Sequence, residues 1–328
     1  MAAGPRSNRH KETRAKSTRT TTSEGAVMKV GIIGVGNMGW QMTDRLVKAG
    51  HQVSAYDPRE QVAHALPQLG ATAAPSPAAV AKDSEATILM VLNAAQADEA
   101  IWGDDGFAQS AGPDSVLILM SSLPPAFVAD TAERAADRFH IVDSPVSGGV
   151  EGAAAGTLTI MAAGSEAALE TVRPVHEVLG EAIIRLGSRP GLGATMKAIN
   201  QAMYFSAMAS AAEMVVTATK AGLDPDTVIE VVGRSSGDSW ALRNRVPLSW
   251  RNEYSSGGSL AVAAKDMAAG LELAEQLGVD ARVTKAAAET IREAVDRHNG
   301  EGDDPLIVEV IEARSGLSLA DRSSHQKL

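Results

Sequence analysis

Three glycines in a fixed frame constrain this chain more than any other feature. Gly34, Gly36 and Gly39 follow directly on a short apolar run at 27–33. A strand that ends on Gly-x-Gly-x-x-Gly and passes into a helix is the opening of a doubly wound α/β fold. Gly34 permits the tight turn, Gly36 lets a ligand approach the backbone, and Gly39 lets the helix pack closely on the strand. The helix expected over about 37–49 turns its first amides, at Asn37 and Met38, toward a pyrophosphate. Gly50-His51 closes that helix, and a second strand at 52–56 delivers Asp57. All these parts in register predict a dinucleotide site.

Asp57 is expected to accept hydrogen bonds from the adenosine ribose. Its charge opposes a 2′-phosphate, which favours NAD over NADP. Arg59, two residues on, complicates this. It either stacks over the adenine, reaches a 2′-phosphate, or is an exposed loop arginine.

The βα rhythm continues to about residue 190. Ser76-Pro77 reads as a cap and first-turn proline. Strands are expected at 87–92, 116–120, 140–142, 158–162 and 182–186, with helices at 96–102, 125–138 and 165–178. Ligands of such sheets gather beyond the carboxyl ends of the strands. Leu92 and Asn93, Ser122, and Ser147-Gly148-Gly149 all fall there. Asn93 either caps a helix or touches the cofactor ribose. Ser122 either caps the following helix or faces the nicotinamide and substrate. Gly148-Gly149 is either a plain turn or a nest of amides that holds a carboxylate.

From about 192 the pattern becomes helical throughout. A long helix is expected over 194–221, and shorter ones at 225–232, 239–244, 262–277, 281–297 and 306–313. On the long helix Lys197, Asn200, Gln201 and Tyr204 share one face. A lysine at a domain cleft, with polar neighbours and a lowered pKa, suits proton transfer and the stabilisation of charge on an oxygen. Trp240 either packs a helix or lines the substrate.

The chain has 328 residues, which favours two domains. The expected boundaries are a basic disordered tail at 1–27, a nucleotide domain at 28–190, an all-helical domain at 191–318 and a disordered tail at 319–328. The first tail carries six Lys or Arg against Glu12 and Glu24. It reads as disordered rather than as a targeting segment, and Met28 is a candidate start. A net charge of −10 argues against nucleic acid, and no apolar run approaches membrane-spanning length. With no cysteine, disulfides and thiolate metal sites are excluded, and no metal is expected.

Four blocks carry a resemblance to the β-hydroxyacid dehydrogenases, the family that includes 3-hydroxyisobutyrate dehydrogenase and tartronate semialdehyde reductase. They are Gly34-Val35-Gly36-Asn37-Met38-Gly39; Asp143-Ser144-Pro145-Val146-Ser147-Gly148-Gly149, followed by Gly156-Thr157-Leu158-Thr159; Gly191-Leu192-Gly193 through Lys197 and Asn200; and Lys265-Asp266. The resemblance implies a Rossmann domain joined by a long helix to an all-α domain like that of 6-phosphogluconate dehydrogenase. It implies Lys197 as catalytic acid/base, and Ser122 with Ser147-Gly148-Gly149 as the holder of the substrate carboxylate. Asn200 or Gln201 would orient the substrate. Lys265 would close over cofactor and substrate, with Asp266 organising its helix.

The chain is further similar to the four-carbon sugar-acid subgroup, the L-threonate 2-dehydrogenases, through Val91–Gln96, Ser121-Ser122, Pro190–Gly193 and Ser236–Trp240. It departs from that subgroup at Asn200, at Gly257-Gly258-Ser259-Leu260 and at Asp303-Asp304-Pro305-Leu306. The resemblance therefore implies NAD-dependent oxidation of the C2 hydroxyl of a small aldonate. A 3-hydroxyacid dehydrogenase is the first alternative and a non-catalytic NAD sensor the second. A cytoplasmic dimer or tetramer is expected.

Overall fold

The computed structural model describes residues 27–251 and 258–320. Apart from Val27, the expected basic tail lies outside them, as do Gly257 and residues 321–328. The first half runs β1 (Lys29–Ile33), α1 (Asn37–Lys48), β2 (Gln52–Tyr56), α2 (Glu60–Ala65), β3 (Thr72–Ala73), α3 (Pro77–Lys82), β4 (Ala86–Leu89), α4 (Ala94–Trp102), β5 (Val116–Leu119), α5 (Pro125–Ala135), β6 (His140–Asp143), β7 (Val146–Ser147), α6 (Gly149–Ala155), β8 (Leu158–Ala163), α7 (Glu166–Leu179) and β9 (Gly180–Gly187).

Strands β3-β2-β1-β4-β5-β6 are parallel in that order. The order reverses between β1 and β4, which is where a doubly wound sheet binds its ligand. Beyond β6 the sheet becomes mixed: β8 is antiparallel to β6 and β7, and parallel to β9. The central strands are buried on both faces, as parallel strands covered by helices must be. Val30, Ile32, Ile88 and Ile118 face the core under α1 and α7, while Ile33, Leu89, Leu117 and Leu119 face the core under α3, α4 and α5.

The second half consists of α8 (Leu192–Lys220), α9 (Pro225–Val232), α10 (Trp240–Asn244), α11 (Val246–Arg251), α12 (Leu260–Gln276), α13 (Arg282–Arg297) and α14 (Leu306–Ser315). Asp224, Ser239 and Ser259 start α9, α10 and α12 by accepting a hydrogen bond from the amide three residues on. With 29 residues, α8 spans about 43 Å. Its first turn places Ala194 in the sheet's core, and Phe205, Met208, Ala212 and Val215 lie in the core of the helical half. The same helix is therefore built into both.

Several expectations need correction. β4 stops at Leu89 rather than at 92, because the Val91 amide donates to Ser121 Oγ (2.8 Å) and draws the chain off the sheet. α4 begins at Ala94, two residues early. The glycine-rich passage after Ser147 holds the helix α6. Leu319 is buried in the helical core, and its amide donates to Glu312, so ordered chain runs past the expected tail boundary at 319. Among the described residues no helix is long and apolar enough to cross a membrane.

Candidate active site

The fingerprint loop is shaped by what its glycines exclude. Gly34 has φ +93°, and a Cβ there would stand 2.3 Å from the Met90 carbonyl oxygen. A Cβ on Gly39 would stand 2.1 Å from the carbonyl oxygen of Gly34, so only hydrogen lets α1 approach β1 this closely. Above Gly36 nothing lies within 4 Å. No side chain caps α1, so its first amides, those of Asn37 and Met38, are left for a ligand. An open, amide-lined helix start at the switch point fits a pyrophosphate.

Asp57 closes one side of this loop. Its Oδ2 accepts from the Val35 amide at 2.9 Å, and its Oδ1 from the Arg59 amide at 3.0 Å. The Arg59 guanidinium straddles the same carboxylate, with Nε at 2.7 Å from Oδ1 and Nη2 at 2.9 Å from Oδ2. Burial pushes the Asp57 carboxyl up, but the hydrogen bonds from Arg59 and Val35, with the guanidinium charge, hold it below the ordinary range. Arg59 is therefore paired rather than a free loop arginine.

A second constellation lies between the two halves. A cavity of about 230 Å³ is walled by Ser122, Leu123 and Pro124 from the β5–α5 turn, by Lys197 and Gln201 from α8, and by Lys265, Asp266 and Glu272 from α12, with alanines between. Lys197 Nζ donates to Gln201 Oε1 at 3.0 Å, and Gln201 Nε2 donates to Asp266 Oδ2 at 2.8 Å. Asn200 Nδ2 donates to the same Gln201 oxygen at 3.0 Å. An ammonium on one side and a carboxylate on the other leave this amide a single favourable orientation. Burial lowers the Lys197 pKa to about 8, with Asp266 opposing and Lys265 reinforcing the shift. Lys265 Nζ donates to the carbonyl oxygens of Ser122 (2.8 Å) and Leu92 (3.3 Å), and sits 3.4 Å from Asp266 Oδ1. It thus joins α12 to the turns that follow β4 and β5.

The structure thus brings together Ser122, Lys197, Asn200, Gln201 and Lys265. Ser122 does not cap α5, whose cap is Pro124 without a side-chain bond. Asn93 caps α4, its Oδ1 accepting from the Gln96 amide at 2.9 Å. Beside it Leu92 is 66 % exposed on the same turn. Ser147, Gly148 and Gly149 form the β7–α6 turn, with both glycines at positive φ, and are not among the cavity walls. Trp240 opens α10, half exposed, and meets Tyr204 edge-on at 5.7 Å, two turns along α8 from Lys197.

Two residues were missed. Ser121 accepts from Val91 and donates to Leu89 O at 3.2 Å, tying the ends of β4 and β5 together; a lone serine carries no signal of that. Asp143 binds the start of α8, and its place at the end of a buried strand was the available signal. A larger open depression of about 590 Å³ lies at the amino ends of β4–β6, beside Glu85 and His140. That is the opposite end of the sheet from the fingerprint and the wrong end for a doubly wound ligand site.

A nucleotide cradle at the switch point and a buried lysine in the interdomain cleft define a two-domain dehydrogenase. The comparisons agree. Residues 29–187 match the NAD binding domain of 6-phosphogluconate dehydrogenase, and residues 191–311 match the family described as NAD-binding of NADP-dependent 3-hydroxyisobutyrate dehydrogenase. The chain belongs to the β-hydroxyacid dehydrogenase family, acts on CH–OH groups and takes a nicotinamide cofactor. It is 29 % identical to an L-threonate dehydrogenase of Cupriavidus necator, covering 86 % of this chain and 95 % of that one. It is 32 % identical to a 2-(hydroxymethyl)glutarate dehydrogenase of Eubacterium barkeri, covering 89 % and 98 %. The crystal structure of a 3-hydroxyisobutyrate dehydrogenase from Salmonella typhimurium superposes with a TM-score of 0.79 at 30 % identity, covering 86 % and 99 %.

Proposed function

We propose that this protein oxidises the C2 hydroxyl of a four-carbon aldonate, L-threonate or a close relative, to the 2-oxo acid with NAD. The observation that carries the reading is the array Lys197–Gln201–Asp266 with Asn200 beside it. It sets a buried amine next to amides suited to a second hydroxyl. A bound NAD would supply the hydride acceptor for the carbinol carbon. Lys197, in its neutral form, takes the proton from the hydroxyl, and as the ammonium it returns that proton in the reverse direction. Gln201 fixes the direction of Nζ, and the Ser122 hydroxyl receives the carboxylate; the family resemblance adds the amides of Ser147-Gly148-Gly149, which stand on the β7–α6 turn outside the cavity walls. Lys265 holds the two sheet-domain turns against α12, which keeps water from the reacting atoms.

In this reading Asp57 takes the ribose hydroxyls, with Gly34, Gly36, Asn37, Met38, Gly39 and Leu92 around the rest of the cofactor. At the start of α10 the Ser239 hydroxyl accepts from the Leu242 amide, and the Asn244 amide donates to Trp240 O at 2.9 Å. We also infer self-association to a dimer or tetramer, since Met196, Ile199, Met203 and Met214 leave an apolar row exposed along α8. Light scattering of the purified protein tests this.

A second reading is a 3-hydroxyacid dehydrogenase. It is favoured by the small walls at Ala194, Ala198, Ala268 and Ala269 and by the similarity to the enzyme of Eubacterium barkeri. Steady-state rates decide, measured with L-threonate, D-erythronate, 3-hydroxyisobutyrate, 2-(hydroxymethyl)glutarate and glycerate, each with NAD and with NADP. The highest kcat/KM is expected for L-threonate with NAD. A preference for either 3-hydroxyacid moves the assignment to the second reading, and no turnover with any of them overturns both.

A further inference from the structure

Asp143 ends β6, the last strand of the parallel run, and is 1 % exposed. Its carboxylate does not face the cavity. Oδ2 accepts from the amides of Gly191 (2.8 Å) and Ala194 (2.9 Å), and the Gly193 amide adds to them. These are first-turn amides, which no carbonyl of the helix itself can satisfy. No side chain next to α8 caps them, because its N-cap is Gly191. The cap instead comes from a residue 48 positions earlier, on another element.

The approach is close. A Cβ on Gly193 would lie 2.5 Å from the Met161 carbonyl oxygen and 2.8 Å from that of Asp143. The first turn of α8 is thereby pressed on β6 and β8, with Ala194 buried in the sheet's core. Lys197 follows Ala194 by three residues, about one turn further along the same helix. The position and rotation of that first turn set where the Lys197 side chain leaves the helix.

We propose that Asp143 is the positioning residue for Lys197: it fixes the first turn of α8 against the sheet and so places Nζ over the cavity. The inference rests on the reading of Lys197 as the proton-transfer group. An anchor serving fold alone predicts a loss of stability only. An anchor that places an acid/base also predicts slower proton transfer in the molecules that remain folded.

The test compares Asp143→Ala and Asp143→Asn with Lys197→Ala and with Val172→Ala. Val172 is buried in α7, outside the site, and its truncation supplies a destabilised control. The probes are NAD and whichever hydroxyacid of the panel turns over fastest. Measured are kcat, the solvent deuterium isotope effect on kcat, NAD affinity by fluorescence, and amide exchange over 188–200. Asp143→Ala is expected to lower kcat about 100-fold with NAD affinity retained, the scale of a misplacement near 1 Å. Its isotope effect rises and exchange in the first turn of α8 accelerates. Asp143→Asn, which keeps an acceptor, falls between it and the parent. Because the isotope effect is a ratio, a smaller folded fraction leaves it unchanged. An isotope effect and a kcat like those of Val172→Ala overturn the inference. If Lys197→Ala itself retains turnover, the Lys197 reading falls and the inference with it. A dead Lys197→Ala beside an unaffected Asp143→Ala sinks this inference alone.

Discussion

For a ribose hydroxyl to reach Asp57, something must move. A carboxylate offers about four acceptor sites, and the Val35 amide and three donors of Arg59 already converge on this one. The guanidinium is the part able to leave, since the Arg59 side chain is 51 % exposed. Arg59→Ala should therefore strengthen NAD binding and weaken NADP binding, because the carboxylate charge facing the 2′ position is no longer neutralised. Paired fluorescence titrations check this, with an expected change of about tenfold in the NADP/NAD ratio of Kd, or about 1.4 kcal/mol. At Lys197, a pKa lowered to about 8 by burial sets the pH dependence. In the proposed reaction oxidation needs the free amine, so kcat for oxidation should rise with pH and level off above about 8, while kcat for reduction should fall through the same range. pH–rate profiles in both directions test the sign. Lys197, Asn200 and Gln201 were legible because helical spacing alone places them on one face. The Gln201–Asp266 and Asp143–α8 bonds were not, since each joins residues 48 or more positions apart.

At the scale of elements, the fingerprint loop and α8 do most to position the chemistry. Gly39→Ala would drive a methyl into the Gly34 carbonyl oxygen, 2.1 Å away, and lift the start of α1 from β1. It should lower stability by about 1–3 kcal/mol, as overpacking does, and raise the Kd for NAD. Thermal unfolding and fluorescence titration measure the two effects. Both elements could be read in advance: α1 from its glycine frame and the Gly50 stop, α8 from a long helical pattern closed by Gly222. α6 carries no helical signal in the sequence, since GVEGAAA has no side-chain cap and two glycines. It is helical where it packs beside α1, with Gly152 close under the Leu158 side chain. The end of β4 was misplaced for a similar reason. Val91 is as apolar as a strand residue, but the Ser121 hydroxyl takes its amide.

The whole molecule is two cores sharing one helix, with the proposed reacting groups in the seam. Lys265 is a direct polar tie across that seam, from α12 to Leu92 and Ser122. Lys265→Met keeps the length of the side chain and removes its donors. It should raise KM for both cofactor and hydroxyacid, with a loss of about tenfold or more in kcat/KM, while the melting temperature changes little. The two-domain plan was legible from the switch between a βα rhythm and unbroken helical periodicity near residue 190. The mixed strands at the sheet's far edge were not, because β7 has only two residues. The proposed chemistry centres on one amine. Lys197→Ala should bind NAD with the affinity of the parent protein by fluorescence titration, yet lose at least about 100-fold in turnover, the scale of a missing general acid/base. NAD binding intact with turnover near that of the parent protein would contradict it.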